Sequence, residues 1–138
     1  MRVVLDTNVL VSAFLFEQRL GKFVQLIEQG TITPCFVVTT FKELAAVLQY
    51  KKFAPLFASA NTSIDKILED LQGRSIIVDD PKVVPDITAD APDNYILAAA
   101  KVAKAAYIVT GDKLLLRVRQ FENIPIITPK KFLQTWRR

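Results

Sequence analysis

The sequence predicts an α/β domain, a mostly parallel sheet with helices on both faces. Three observations carry this. Short apolar runs of strand length alternate with segments whose apolar residues recur at helical spacing. Such alternation runs successive strands in one direction and returns the chain by helices, which cover both faces of the sheet. The 138 residues and 51% hydrophobic content suit a single domain, residues 1–138, with a core of its own. No internal repeat, low-complexity tract or linker divides it.

Val3-Val4-Leu5 reads as a short buried strand. Asn8 to Glu17 follows as a helix, with Val9, Leu10, Ala13 and Phe14 on one face. Leu20 to Gln29 is a second amphipathic helix, built on Phe23, Leu26 and Ile27 and closed by Gly30. Cys35 to Val38 is strand-like, and Thr39 or Thr40 can cap a helix running to about Lys52. Pro55 to Ser59 suits a short helical turn. Asn61-Thr62-Ser63 opens a helix that ends near Gly73, and Ser75 to Val78 is a strand. Asp79 to Asp90 carries two prolines and reads as loop. Asp93 to Lys104 is a helix, Tyr107 to Val109 a strand, and Lys113 to Arg119 a short helix. Ile124 to Ile127 is the last strand, and Pro129 to Trp136 the last helix, with Pro129 in its first turn.

Composition removes several chemistries. With no histidine and one cysteine, Ser-His-Asp and Cys-His catalysis and the usual Cys/His zinc sites are excluded. Cys35 lies in an apolar run, so a disulfide framework within the chain is also excluded, and a reducing compartment fits. No apolar stretch approaches the roughly 20 residues of a membrane span, and no signal-peptide pattern opens the chain. The expectation is a soluble, cytoplasmic protein. The net charge of +4 is a mild pointer to a polyanionic partner. It gains weight beside acids that could hold a cation.

Four carboxylates sit where an apolar run stops or a helix starts: Asp6, Glu43, Asp93 and Asp112. Asp6 ends the first strand in Leu5-Asp6-Thr7-Asn8, at the edge where parallel sheets bind ligands. A helix N-cap would use the same residue types. Thr7 and Asn8 could orient the acid. Glu43 heads a stripe continued by Ala46, Val47 and Tyr50; it is either an acid aimed inward or a first-turn Glu favoured by the helix dipole. Asp93 opens a face continued by Ile96, Leu97 and Ala100. Asp90, three residues earlier, suits the cap of that helix, with Asp93 the better ligand candidate. Asp112 follows a strand in Val109-Thr110-Gly111-Asp112 and could also be a cap. If the acids converge, like charge raises their pKa values unless a cation neutralises them. Magnesium or manganese suits an all-oxygen site.

The segments "VVLDTNVLVSA", "TTFKELAAVL", "DAPDNYILAAAKVAKAAYIVTGD" and "IPIITPKKFL" resemble a PIN-domain protein, in the family's order and over almost the whole chain. The opening Asp-Thr-Asn and the late Thr-Gly-Asp are fairly specific as a pair. The resemblance implies a three-layer α/β/α sandwich with a PIN-like central sheet. It implies a Mg2+- or Mn2+-dependent endoribonuclease that hydrolyses RNA phosphodiesters with a metal-activated water. By match, Asp6, Glu43, Asp93 and Asp112 become the catalytic and metal-site acids, with Asn8 and Thr110 as supporting polar residues. The subgroup resembled is the toxins of prokaryotic toxin–antitoxin pairs, which implies a small antitoxin partner and a homodimer. The sequence departs in two places. Leu114 stands where many members carry a further acid, and the irregular segment before Asp93 leaves Asp90 as an alternative ligand.

Arg117 and Arg119 are candidates for RNA backbone contact or plain surface charge. Phe53, Leu56 and Phe57 could join two subunits or fold into the core. An alternative function is a PIN-fold RNA- or protein-binding module with weak or no catalysis. A haloacid dehalogenase-type phosphatase fits poorly, because Asn8 stands where that family's general acid would be. A phosphoacceptor receiver fits poorly too, since the first strand supplies only Asp6.

Overall fold

The structure, a computed structural model, describes residues 1–135, apart from the side chains of residues 17–19. Trp136, the expected end of the last helix, lies outside the described residues. The strands are β1 (Arg2–Leu5), β2 (Thr33–Val37), β3 (Ile76–Val78), β4 (Tyr107–Val109), β5 (Gln120–Phe121) and β6 (Ile124–Ile127). The helices are α1 (Thr7–Leu15), α2 (Glu17–Glu28), α3 (Val38–Leu48), α4 (Ala54–Ser59), α5 (Ile64–Arg74), α6 (Ala91–Ala103), α7 (Lys113–Val118) and α8 (Pro129–Gln134). A 3-10 turn, Lys51–Phe53, precedes α4.

The strands form one sheet in the order β3-β2-β1-β4-β6-β5, parallel except for the edge pair β5–β6. The chain winds outward from β1 through β2 to β3, then returns by α6 to place β4 on the other side of β1. The β1–β4 boundary is therefore the point where winding reverses, and parallel sheets open a crevice at the C-terminal ends of such strands.

Alternation along each strand sorts the two faces. Val3 and Leu5 of β1 join Phe36, Val109 and the apolar sides of α1, α2, α3 and α5, with Phe132 of α8. Val4 points the other way, with Cys35, Val37 and Ile108, onto α6 and Leu115 of α7. Helices thus cover both faces, giving the expected three layers. Ala99, Ala100 and Ala103 of α6 are all buried, and their small side chains let this helix lie close to the strands. Phe53, Leu56 and Phe57 pack half-buried against the first core.

Several details differ from the sequence reading, among them Glu17, which begins α2 instead of ending α1. Val38 begins α3 instead of ending β2, and Thr40 is inside the helix. The Thr40 hydroxyl accepts from Val37 N–H at 3.0 Å and donates to Val37 C=O at 2.9 Å, which satisfies backbone groups at the strand-to-helix corner. α3 ends at Leu48, short of Lys52, because Gln49 and Tyr50 close the last turn on Ala46 and Val47. β5 was not expected at all. It pairs with β6 across a turn in which Glu122 and Asn123 both have positive φ, 52° and 64°.

Candidate metal centre

Asp6 leaves β1 at its C-terminal end. Its N–H still donates to Val109 C=O at 3.0 Å, so the β1–β4 ladder fixes its backbone. The carboxylate makes no cap bond to α1. Its Oδ2 accepts a 2.6 Å hydrogen bond from the Thr110 hydroxyl at the end of β4. The N–H groups of Thr7 and Asn8 lie near it and favour its charged form. That is Asn8's contribution here, since its side chain is exposed.

Asp112 is the N-cap of α7. Its Oδ1 accepts from Leu114 N–H at 2.7 Å and Leu115 N–H at 3.4 Å. Asp90 is the N-cap of α6, with Oδ1 accepting from Asp93 N–H at 3.2 Å. In each case the second oxygen accepts no N–H from the described residues. The cap reading and the ligand reading are thus compatible, one oxygen each. Asp93, in the first turn of α6, is only 5% exposed.

These placements bring Asp90, Asp93 and Asp112 together, with one oxygen from each within 4.8 Å of the others. Asp90 and Asp93 therefore belong to one cluster, where the sequence offered Asp90 as a substitute for Asp93. Asp6 and Glu43 flank the three. Asp112 is close enough to Asp6 to raise the cost of charging it, Asp6 does the same to Asp93, and Glu43 stands in the field of Asp6 and Asp90.

The electrostatics follow from crowding and burial. The Asp93 carboxyl is pushed up to about 7, by burial first, then by the charges of Asp112 and Asp90. Burial also raises Asp6, offset in part by the Thr110 hydrogen bond, and Asp112 adds to the rise. Glu43 is raised by burial and by Asp6 and Asp90, against a lowering contact from the Thr7 hydroxyl. Asp93 Oδ2 is buried and receives no hydrogen bond. The group facing the Asp93 carboxyl is Asp112, another acceptor, so the two can share only a proton or a cation. An all-carboxylate donor set with an unsatisfied buried oxygen fits a hard divalent cation such as Mg2+ or Mn2+.

Arg117 and Arg119 are exposed, with no ion pair among the described residues. Lys113, next to the cluster in sequence, is exposed as well. Sequence reasoning passed over two polar residues that matter here. Asp80, in the loop after β3, accepts from the Thr39 N–H at 3.0 Å and from the Thr39 hydroxyl, tying that loop to the head of α3. Asn94, buried beside Asp93, grips the other end of the same loop. Asn94 is followed at helical spacing by Leu97 and Ala98, which is a signal of a kind. Its partners are separated from it by a loop of no fixed pattern.

A mostly parallel sheet with a cluster of acids at its switch-point crevice defines a class of small α/β domains equipped to hold a divalent metal. Within that class, the sequence profile of the PIN domain matches residues 2–114, and the chain belongs to the PIN-domain family. Among solved structures it is similar to VapBC2 from Rickettsia felis, crystallised bound to a DNA fragment from their promoter. That likeness has a TM-score of 0.56 at 16% identity, over 93% of this chain and 98% of that one. At this identity it is a likeness of fold. No curated protein sequence matches the chain. No helix among the described residues is long and apolar enough to cross a membrane.

Proposed function

We propose that this chain is a metal-dependent endoribonuclease and the toxin of a toxin–antitoxin pair. The observation that carries the reading is Asp93 Oδ2, buried without a donor among like charges. A fold does not keep such an atom for stability, because an unsatisfied buried carboxylate oxygen is costly. Asp90, Asp93 and Asp112 would hold the cation, with Asp6 beside them. Glu43, half-exposed at the rim, would orient the attacking water or help hold a second ion.

Mg2+ or Mn2+, when bound, supplies the Lewis acidity that activates water and shields the scissile phosphate. The chain's own contribution is position and charge. Thr110 holds Asp6 by one oxygen, Oδ2. The caps of α6 and α7 fix Asp90 and Asp112 in the same way. In the reaction a water oxygen bonds to phosphorus, the bond to the leaving ribose oxygen breaks, and that oxygen takes a proton. No imidazole exists to carry these protons, so the carboxylates and solvent must. Exposed Arg117 and Arg119 would meet the RNA backbone.

The resemblance to toxins of such pairs supports an antitoxin partner and a homodimer; the similar solved structure is of VapBC2. Cleavage of a mixed RNA pool with Mg2+ or Mn2+ tests the activity, against EDTA and against Asp6→Asn and Asp93→Asn. The expected result is cleavage that needs the cation and both acids. RNA binding that ignores the cation and persists in Asp6→Asn, without cleavage, would sink the nuclease reading in favour of a binding module.

A further inference from the structure

Asn94 lies one residue past Asp93, in the first helical turns of α6, and is 8% exposed. An asparagine there favours neither the helix nor burial, unless its amide is fully used. It is used on the preceding loop. Its Oδ1 accepts from Thr88 N–H at 2.9 Å and Ile87 N–H at 3.2 Å, with the Thr88 hydroxyl 3.3 Å away. Its Nδ2 donates to Thr88 C=O at 3.0 Å. The Thr88 hydroxyl then passes the grip on: it lies 3.0 Å from Asp90 C=O and 3.2 Å from Asp90 N–H. The chain Asn94–Thr88–Asp90 closes back on α6, where Asn94 N–H donates to Asp90 C=O at 3.2 Å.

Asp90 needs such a hold. It faces Asp93 and Asp112 across a few ångströms, and their charges would drive it toward solvent. Its cap bond to Asp93 N–H is long, 3.2 Å, and fixes one oxygen only. Its backbone is extended, with φ −102° and ψ 114°, at the end of a loop of residues 79–90. Among the described residues, the other hydrogen-bonded anchor of that loop is Asp80 on Thr39, at the far end.

We infer that Asn94 is a positioning residue for the cation site: through Thr88 it holds Asp90 against the repulsion of Asp93 and Asp112, so that three carboxylates are arranged before the cation arrives. The inference rests on the reading of these acids as cation ligands. Groups that orient metal ligands typically change affinity by about 10–100-fold when removed.

The test is Mn2+ binding to the whole chain by titration calorimetry, with melting in EDTA recorded for every variant. The set is wild type, Asn94→Ala, Asp90→Asn, the double variant, Thr88→Val and Asp93→Asn. Asp90→Asn keeps the cap and removes the charge. The expected result is about tenfold weaker binding by Asn94→Ala, with no further loss when Asn94→Ala is added to Asp90→Asn. Thr88→Val, which keeps the amide grip but cuts both links to Asp90, should also weaken binding. It serves as the deciding variant if Asn94→Ala does not fold. A lower melting temperature with wild-type affinity would overturn the inference, since that is what a purely structural asparagine gives. Equal losses with and without the Asp90 charge would overturn it too. If wild type binds no Mn2+, or Asp93→Asn binds as well as wild type, the cation reading itself has failed and the inference falls with it.

Discussion

The Thr110 hydroxyl stands 2.6 Å from Asp6 Oδ2 and 2.9 Å from the Asp112 backbone nitrogen, so one buried side chain links the acids that end β1 and follow β4. It donates to the first and accepts from the second, and Thr110 is fully buried. Thr110→Val keeps the shape and removes both bonds. It leaves the Asp112 N–H without a partner and Asp6 less favoured in its charged form. The expected cost is about 1–3 kcal/mol in urea unfolding, with RNA cleavage reduced about 10–100-fold. Wild-type cleavage by a destabilised variant would show that the link serves only the fold.

Asp90 caps α6, and substitution can separate that cap from the proposed hold on the cation. Asp90→Ala loses the cap of α6 and the charge, and should unfold about 1 kcal/mol more easily. Asp90→Asn keeps a capping oxygen, so its stability in EDTA should match wild type or exceed it, because a repelling charge is gone. Both variants should hold Mn2+ more weakly. Chemical denaturation in EDTA, alongside a cation titration, checks the pair. Equal stability losses in the two would contradict the division of labour between the oxygens.

The raised acids set the pH dependence of the cation-free protein. Asp93 moves from 3.8 to about 7 on folding, so the folded state binds its proton more tightly than the unfolded chain does. Stability should therefore be highest at the acid end of this window, fall as pH climbs through it, and level off above about 7. Asp6 and Glu43, raised as well, act in the same direction. Asp80 has the opposite sign. Its carboxyl is lowered by the Thr39 hydrogen bonds, so its contribution is lost as pH falls below the ordinary carboxylate range. Calorimetric melting in EDTA should show the decline in wild type and a flatter profile in Asp93→Asn. Above the window, Asp93→Asn should melt higher than wild type in EDTA, and saturating Mn2+ should reverse that order. A wild-type melting temperature that rises from pH 4 to 7 would contradict the buried like-charge cluster.

Much of this arrangement was legible in the sequence, for a physical reason. In a parallel sheet the functional edge is where strands end, so Asp6 after Val3-Val4-Leu5 and Asp112 after Tyr107-Ile108-Val109 announce their own place. Glu43 and Asp93 are readable because each heads an apolar helical stripe. What escaped depends on contacts between distant segments. β5 is two residues long and exists through a turn that puts Glu122 at positive φ, a conformation its residue type does not advertise. Asp90 could be read as a cap, and it is one. That its carboxylate also joins the cluster required knowing how the loop of residues 79–90 returns to α6. The Asn94 grip on Thr88 sets that return, and no spacing rule encodes it.

The proposed nuclease must take water as its nucleophile, since the chain has no histidine to activate a ribose hydroxyl. RNA cleavage in 18O-labelled water, with product ends read by mass spectrometry, tests this. The account predicts one solvent oxygen in each new terminal phosphate, no cyclic phosphate, and no product in EDTA or with Asp93→Asn. Unlabelled cyclic phosphate ends, formed equally well in EDTA, would contradict it.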